Sequence, residues 1–384
     1  MFTTSWTASP QLPSEGFTPN WSREGFWRQS LRQVVRLSAG GGRVRVRLSH
    51  AYGTSPVRIA GASVGRTAAG AAVEPGSLTR LTFGGAAQSV LHPGRASGTT
   101  ARGELVSDDV PLAVAAGESV TVTLHFDTAT GPATFHAQAF TTSYRSEGDR
   151  SAEPGGEGFD AATESWYFLS AVEVDAGRTD AVALFGDSIT DGFGSTPGAD
   201  RRWSDALAER TGRPVLNAGI GGNLLLNDSA WYGEKGVHRL RRDVLDRPGV
   251  DTLVVLLGLN DIGFSETDEQ PTYKPAPVPE AGELIAGHRE LIRQGRAAGV
   301  RVIGATLLPF GGSDHWGERA AKVSHELNEW IRSSGEYDAV VDLNRALADP
   351  ADPDRLRPSY DFGDHLHPND AGYEVMAEAV STAL

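Results

Sequence analysis

The hydrophobic pattern of the chain changes near residue 178. Residues 24–174 contain short runs in which apolar and polar residues alternate, separated by glycine-rich turns. The clearest run, residues 119–126, would place its four apolar side chains on one face and its polar side chains on the other, as in a strand that is buried on one side. Many short strands with glycine-rich turns and no helical period predict an all-β sandwich of the jelly-roll type.

Beyond residue 178, continuously apolar runs alternate with segments of helical period. The first run, residues 181–185, is short and wholly apolar, which is typical of a strand covered on both faces. Three later helical segments each end at a glycine, and a last helix is predicted over about 371–383. This alternation predicts an open, mostly parallel sheet with helices on both faces. We expect a β-sandwich accessory domain over residues 1–177 and an α/β domain over residues 178–384.

Composition and charge exclude several classes of protein. The formal charge of −14, from 35 Lys and Arg against 49 Asp and Glu, is unfavourable for binding nucleic-acid phosphates. The absence of cysteine excludes disulfides, thiolate zinc sites and cysteine nucleophiles. No apolar run approaches the roughly 18 residues of a membrane span. The first residues lack a signal-peptide pattern, so we expect a cytoplasmic protein if Met1 is the native start and a secreted one if a signal peptide was removed.

Polar and glycine-rich segments that follow the predicted strands carry the candidate chemistry. In such sheets, ligands bind beyond the carboxyl ends of the strands. Ser188 follows the first strand at a turn into a helix, from which its hydroxyl can face the cleft. A glycine-rich turn at 218–223 follows the second strand, and Asn260 follows the next. These segments would offer backbone N–H groups and a side-chain amide at one edge of the sheet.

An acid and a histidine stand three residues apart just before the last predicted helix. The spacing of Asp364 and His367 lets the carboxylate reach one ring nitrogen and leaves the other free to take a proton. With Ser188, these residues supply a nucleophile, a base and an orienting acid. The neutral donors nearby would stabilise the oxyanion that forms when an ester carbonyl is attacked.

Four segments, in this order, resemble the sequence blocks of the SGNH/GDSL hydrolase family. They are Gly186-Asp187-Ser188 (followed by Ile189 where the family usually has leucine), 217–223, 258–261 and 364–368. The resemblance covers about residues 178–384. It implies a three-layer α/β/α, flavodoxin-like hydrolase domain and metal-independent hydrolysis of esters, with no cofactor. Residues 5–11 and 31–36 resemble, less specifically, the β-sandwich domain that precedes the hydrolase domain in some actinobacterial members.

The resemblance also implies roles for five residues. Ser188 would be the nucleophile, His367 the base and Asp364 the acid of a catalytic triad. The oxyanion hole would consist of the Ser188 and Gly222 backbone N–H groups and the Asn260 side-chain amide.

Each of these residues also has a structural interpretation. Ser188 alone could cap the following helix, and Asn260 could form a cap or an Asx-turn. Gly222 could be a turn glycine, with Gly219 or Gly221 as the donor instead. His365 competes with His367 for the role of base, although the Asp-x-x-His spacing favours His367. Asp187 and Asp191 are expected to be structural.

Two other chemistries fit parts of the sequence less well. Asp361, Asp364, His365 and His367 could ligate a metal, but no second histidine pair with ligand spacing completes a site. Residues 186–198 could cradle a phosphate, but they lack the Lys-Ser/Thr ending of a P-loop.

The sequence therefore predicts a serine esterase that acts on small O-acyl esters, with a carbohydrate or a secondary metabolite as the candidate carrier. An acyltransferase, a thioesterase or lysophospholipase with the same triad, and a non-catalytic glycan-binding protein are the alternatives. The sequence predicts no oligomeric state.

Substrate selection depends on segments near the predicted site. The loop at 264–279 is long enough to be a lid or rim. Aromatic residues predicted near the site would either line it or pack into the core; they are Trp231, Tyr232, Phe264, Phe310 and Trp316.

Overall fold

A computed structural model describes residues 1–94, 103–267, 270–274 and 276–384 of the chain. The chain divides into two units, Met1–Arg178 and Thr179–Leu384. That residues 1–177 and 178–384 are separate domains stays a prediction.

Short strands separated by turns make up the N-terminal unit. These are β1 (Thr3–Thr7), β2 (Gln29–Arg36), β3 (Gly41–Ser49), β4 (Val57–Ile59), β5 (Gly61–Ala69), β6 (Ala72–Val73), β7 (Thr79–Arg80), β8 (Ser89–Leu91), β9 (Glu104–Val106), β10 (Val110–Val114), β11 (Ser119–Phe126), β12 (Phe135–His136), β13 (Ser143–Glu147), β14 (Ala161–Thr163), β15 (Trp166–Tyr167) and β16 (Leu169–Val174).

Two antiparallel sheets share the hydrophobic core of this unit. One sheet has the order β1-β16-β3-β10, and the other has the order β14-β13-β2-β11-β5-β6. Apolar side chains of both sheets, such as Val46 and Val172 from the first and Val122 from the second, belong to one buried cluster. From β1 to β11, strands of five or more residues alternate between the two sheets along the chain, and β11 and β13 then lie in the same sheet. The result is the predicted jelly-roll-like sandwich.

One detail of the predicted pattern is wrong. Thr121 and Thr123, expected on an exposed face of β11, are fully buried. Thr121 Oγ1 hydrogen-bonds Thr67 Oγ1 (2.9 Å). Arg32 on the neighbouring strand covers Thr123: it donates to Thr123 Oγ1 (3.2 Å) and to the backbone carbonyl groups of Ala71, Glu153 and Gly155. Burial lowers the pKa of Arg32 to about 10. The outer face of β11 is therefore covered through a long-range contact that alternation along the strand does not reveal.

Strands and helices alternate in the C-terminal unit. The strands are β17 (Ala181–Gly186), β18 (Val215–Gly219), β19 (Val250–Leu256), β20 (Arg301–Ala305), β21 (Ala339–Val341), β22 (Ala348–Asp349) and β23 (Asp352–Leu356). The α-helices are α1 (Ser188–Asp191), α2 (Trp203–Thr211), α3 (Gly236–Leu240), α4 (Leu259–Gly263), α5 (Ala281–Ala297), α6 (Glu318–Ser333), α7 (Leu343–Leu347) and α8 (Asp370–Ser381). A π-helical turn (Arg241–Leu245) follows α3, and a 3-10 turn (Pro271–Tyr273) lies between α4 and α5.

Five parallel strands form the central sheet in the order β18-β17-β19-β20-β21. In order of appearance this is 2-1-3-4-5, the flavodoxin-like order, with its topological switch between β17 and β19. Helices α2 and α8 pack together, as do α5 and α6. The predicted fold class, an α/β domain preceded by a β-sandwich, is confirmed.

The sequence pattern did not predict several short helices and strands. Helices α3 and α7 have five residues each, too few to show a helical period, and the β22–β23 hairpin has no apolar alternation. None of the helices in the described part of the chain combines the length and the apolar composition that a bilayer crossing needs.

Candidate active site

Ser188 lies at the carboxyl end of β17, as the first residue of α1. The Asp187 side chain caps this turn by accepting a hydrogen bond from the Ile189 N–H (3.1 Å). Burial raises the pKa of Asp187 to about 7. Gly186 leaves room for the turn, because a Cβ there would lie 2.4 Å from the Leu256 carbonyl oxygen. A tight, capped turn thus holds the serine at the switch point of the sheet.

The structure brings Ser188, His367 and Asp364 together in one chain of hydrogen bonds. Ser188 Oγ lies 2.8 Å from His367 Nε2, and His367 Nδ1 lies 2.7 Å from Asp364 Oδ2. The other carboxylate oxygen accepts the backbone N–H groups of Leu366 (3.0 Å) and His367 (2.9 Å). Partial burial opposes ionisation of Asp364, but the hydrogen bonds and charge of His367 outweigh it and hold the pKa of Asp364 at about 2.

His365, the competing histidine, lies elsewhere. Its Nδ1 contacts Asp361 Oδ2 at 2.6 Å, and 48% of its side chain is exposed. Its backbone has a φ of 62°, in the left-handed region. The two Asp–His pairs are thus separate. In the described part of the chain, no three His, Asp or Glu side chains are grouped so that they could hold a metal ion.

Backbone N–H groups at the edge of the sheet differ in their hydrogen bonding. The Gly219 N–H donates to Asn217 Oδ1 (3.0 Å), and the Gly221 N–H donates to Asp191 Oδ2 (3.1 Å). Within the described part of the chain, the N–H groups of Ser188 and Gly222 have no acceptor. The two alternative glycines therefore have their N–H groups occupied, whereas Gly222 has its N–H free.

Asn260 is the first-turn residue of α4, which follows β19. Its Nδ2 donates one hydrogen to the Asn223 carbonyl (3.1 Å), and its Oδ1 lies 3.1 Å from His315 Nε2. The second hydrogen of Nδ2 has no acceptor among the described residues.

A buried arginine that sequence analysis missed connects the loops of the site. Arg239 in α3 is fully buried and donates to the carbonyl groups of Gly186 and Ala218 and to Asn223 Oδ1, each at 2.8 Å. It therefore joins the ends of β17 and β18 to the glycine-rich turn. Its position on a five-residue helix gave no signal in the sequence.

A protein-family model matches the part of the chain that contains these residues. The model described as the GDSL-like lipase/acylhydrolase family matches residues 184–375, half of the chain. The chain belongs to this family. Membership confirms the resemblance found in the sequence and the prediction that the protein is a serine hydrolase acting on esters.

Solved structures similar to this GDSL-family protein have low sequence identity to it. A GDSL-like lipase from Bacteroides thetaiotaomicron is 20% identical, with 53% of this chain and 87% of that chain covered and a TM-score of 0.40. An acetyl xylan esterase from Geobacillus stearothermophilus is 21% identical (53% and 93% covered, TM-score 0.39). A carbohydrate esterase family 2 enzyme with a carbohydrate binding domain, from Corynascus thermopiles, is 15% identical (96% of each chain covered, TM-score 0.40). No curated protein matches the sequence.

Aromatic residues in this GDSL-family protein divide into two groups. Phe310 is buried in the core of the unit, with Trp316 against it at 5.3 Å between ring centroids. Tyr232 and Phe264 are buried in a separate cluster, against which Trp231 packs. Tyr273, which sequence analysis missed, stacks on Phe264 at 4.0 Å.

The predicted lid or rim thus packs on this second group through Tyr273. Tyr232 also makes a hydroxyl–hydroxyl hydrogen bond with Thr272. Asp268 and Glu269 of the same loop lie outside the described residues.

Asp314 and His315 were also missed. They lie in the loop that follows β20, at the same edge of the sheet as Ser188. Ligands bind beyond the carboxyl ends of parallel strands, and this rule pointed to the loop after β20. The loop, however, has no counterpart among the four segments of the resemblance.

Proposed function

We propose that the protein hydrolyses small O-acyl esters, with Ser188 as nucleophile, His367 as general base and Asp364 as the residue that orients it. The observation that carries this proposal is the 2.8 Å contact between Ser188 Oγ and His367 Nε2, with Asp364 on the opposite ring nitrogen. Because Asp364 is ionised, it accepts the proton of Nδ1, which leaves the lone pair of Nε2 facing the hydroxyl.

The steps follow from these positions. His367 Nε2 takes the Ser188 hydroxyl proton as Oγ attacks the acyl carbon, and the carbonyl oxygen becomes an oxyanion. The free N–H groups of Ser188, Gly222 and Asn260 are the proposed donors to it. His367 then gives the proton to the alcohol oxygen, which leaves. Water, with His367 again as base, then attacks the acyl carbon of the acyl-enzyme, and the acid is released as Ser188 Oγ regains its proton.

The surroundings of His367 support a neutral alcohol as leaving group. Because His367 must reach the leaving oxygen, the alcohol lies beside it. The Phe193 ring lies 4.5 Å from the His367 ring and contacts Phe362, which is 52% exposed and offers an apolar surface. A sugar ring or another small alcohol with an apolar face fits this surface.

Acidic groups near the histidine disfavour anionic carriers. Asp364 lies in this loop, and Asp314 is close enough for the charges of Asp364 and His367 to influence its pKa. The phosphate of a lysophospholipid or of a coenzyme A thioester would meet these carboxylates. The acyl group is proposed to be short because Tyr232 packs directly on Gly222, where an added Cβ would lie 2.4 Å from the ring.

Labelling with a fluorophosphonate probe tests the nucleophile. We expect a single adduct on Ser188 in the intact protein. Ser188→Ala should abolish labelling and lower kcat for p-nitrophenyl acetate by about 10⁴-fold or more, as is usual when triad residues act as a unit. Ser381→Ala, on the exposed end of α8, is the control and should behave as the unchanged protein. An adduct on another serine, or a Ser188→Ala variant with more than a few per cent of activity, would refute the assignment.

A substrate panel tests the proposed specificity. We expect kcat/KM to fall from acetyl to butyryl to octanoyl p-nitrophenyl esters, acetylated sugars to be hydrolysed, and phosphate-bearing thioesters and lysophospholipids to be poorer substrates. A preference for octanoyl over acetyl esters would contradict a short acyl group. Transfer of the acetyl group to an added alcohol in preference to water would identify an acyltransferase instead.

A further inference from the structure

The side-chain orientation of Asn260 is determined by its two partners. A backbone carbonyl only accepts hydrogen bonds, so the group that faces the Asn223 carbonyl at 3.1 Å must be the Nδ2 amide. Oδ1 therefore faces His315 Nε2, also at 3.1 Å. Because an amide oxygen only accepts, His315 Nε2 must carry a proton.

The other ring nitrogen of His315 also faces an acceptor. Nδ1 lies 2.6 Å from Asp314 Oδ1. The hydrogen bond to His315 lowers the pKa of Asp314 despite its partial burial, so this carboxylate is ionised and accepts a proton from Nδ1. With an acceptor on each nitrogen, both contacts are satisfied only if His315 is the doubly protonated imidazolium.

The surroundings enclose this ring. His315 is 1% exposed. Phe264 and Tyr273, stacked on one another, both stand nearly perpendicular to it, with centroids at 5.6 and 5.5 Å. Helix α4 approaches closely because residue 263 is glycine: a Cβ there would lie 2.2 Å from the ring.

Among the described residues, few titratable groups lie near His315. Asp314 is its ion-pair partner, and the Tyr273 phenol stands against the ring. Asp364 and His367 act on Asp314 through their charges. Asp314 is therefore the anion that balances a buried imidazolium.

We propose that His315, charged and paired with Asp314, is a positioning residue for the oxyanion hole, acting through Asn260. It holds the amide with its free N–H toward the site and, as a cationic donor to Oδ1, polarises that N–H. The inference rests on the proposed role of Asn260 as an oxyanion donor. The site would contain two Asp–His pairs with different tasks: Asp364–His367 moves protons, and Asp314–His315 strengthens a neutral donor.

The test of this role compares His315→Gln, Asn260→Ala and the double variant in the full chain, with p-nitrophenyl acetate as substrate. The oxyanion exists only beyond the ground state, so we expect kcat to change and KM to stay within about threefold. Asn260→Ala should lower kcat about 100-fold or more, and His315→Gln about 10- to 30-fold. If His315 acts through Asn260, the kcat of the double variant should lie within about threefold of the kcat of Asn260→Ala.

His325→Gln is the matched control. His325 also lies 2.6 Å from an aspartate, Asp354, but on the surface, where 58% of its side chain is exposed. It should retain full activity. Thermal unfolding of each variant checks that it is folded, and His315→Asn replaces any His315→Gln protein that is not.

A second measurement uses the unchanged protein. Nitrogen-15 spectra of histidine-labelled protein at neutral pH should show an imidazole signal with both nitrogens protonated that is absent from the His315 variant. A neutral His315, or a His315→Gln variant with unchanged kcat while Asn260→Ala loses activity, would overturn this inference and leave the proposed function standing. An Asn260→Ala variant with unchanged kcat would instead refute the oxyanion role of Asn260.

Discussion

At the scale of single residues, the Asp364 carboxylate shows how a charge sets the task of its neighbour. Its pKa of about 2 keeps it ionised throughout the pH range of ordinary assays. Loss of activity on acidification above pH 3 must therefore originate in another group.

Asp364→Asn should lower kcat by about 10³- to 10⁴-fold, because an amide no longer selects the histidine tautomer that accepts the serine proton. Steady-state kinetics with a short acyl ester measure this change. Asp354→Asn, which alters the surface Asp–His pair, serves as the comparison and should have normal kcat. Near-normal activity of Asp364→Asn would show that Asp364 does not orient the base.

Gly222 combines two features that exclude a side chain. Its φ is 72°, in the left-handed region, and a Cβ would lie 2.4–2.8 Å from three ring atoms of Tyr232. Either the ring or the turn that carries the Gly222 N–H must move to accommodate a methyl group.

Gly222→Ala should therefore lower kcat by about 10- to 100-fold, since the loss of one oxyanion donor has an effect of this order or larger. Gly299→Ala separates this effect from backbone strain. Gly299 has a similar φ of 74° and nothing within 4 Å of its Cβ position, so its variant should lose about 1 kcal/mol of stability and no activity. Equal kcat values for the two variants would show that the Gly222 N–H is not an oxyanion donor.

At the scale of elements, helix α5 is joined to the end of β19 by a buried histidine. His288 Nδ1 contacts the Tyr337 hydroxyl at 2.5 Å, and Nε2 contacts the Leu257 carbonyl at 3.1 Å. The neutral ring satisfies both, since it accepts from the phenol and donates to the carbonyl. Burial lowers the pKa of His288 to about 4.

This pKa makes stability depend on pH in a defined direction. Between about pH 6.5 and pH 4 the unfolded chain binds a proton at His288 that the folded chain does not. The free energy of unfolding therefore falls as the pH falls through this window, by about 3 kcal/mol at most. His288→Gln should remove this contribution, so the free energy of unfolding of the unchanged protein minus that of the variant, measured by urea unfolding, should fall by about 3 kcal/mol at most as the pH falls from 7 to 4.

Two buried carboxyl groups act in the opposite direction. Burial raises the pKa values of Asp187 and Asp261 to about 7, so the folded chain keeps protons that the unfolded chain releases between about pH 4 and pH 7. Their contribution to stability falls as the pH rises. Because both remain in His288→Gln, the difference between variant and unchanged protein isolates His288. Equal pH slopes would show that His288 is not held neutral by the fold.

At the scale of the whole molecule, the described residues form two large hydrophobic cores, besides the small cluster around Tyr232 and Phe264. One is built from residues between positions 6 and 174, and the other from residues between positions 182 and 380. A unit with its own core is expected to fold independently.

We propose, accordingly, that residues 1–177 and 178–384 are separate domains. Each piece, produced alone, should unfold in a single cooperative thermal transition, as followed by calorimetry. A piece that unfolds gradually would show that it needs the rest of the chain. If 178–384 also keeps its kcat for p-nitrophenyl acetate, the β-sandwich takes no part in the reaction with small substrates.

The sequence by itself determined the fold class, because periodicity is a local property. Each of the patterns used can be seen in a window of about ten residues. They are alternation with a period of two, wholly apolar runs and helical segments that end at glycine. The four segments, each at the end of a strand or in a loop, also gave the candidate site residues. Short elements such as α3 and α7 were missed because one helical turn is too short to show a period.

Only the tertiary structure decided what depends on contacts between distant residues. Ser188 and His367 are 179 positions apart, and they meet because α8 packs on α2 and α7 and its Tyr373 hydroxyl donates to the Phe193 carbonyl, just after the serine turn. The free N–H of Gly222, the position of His315 behind Asn260 and the burial of Thr123 by Arg32 likewise depend on hydrogen bonds across the fold. Hydrogen-bond partners are assigned by three-dimensional position, so the pattern along one chain cannot specify them.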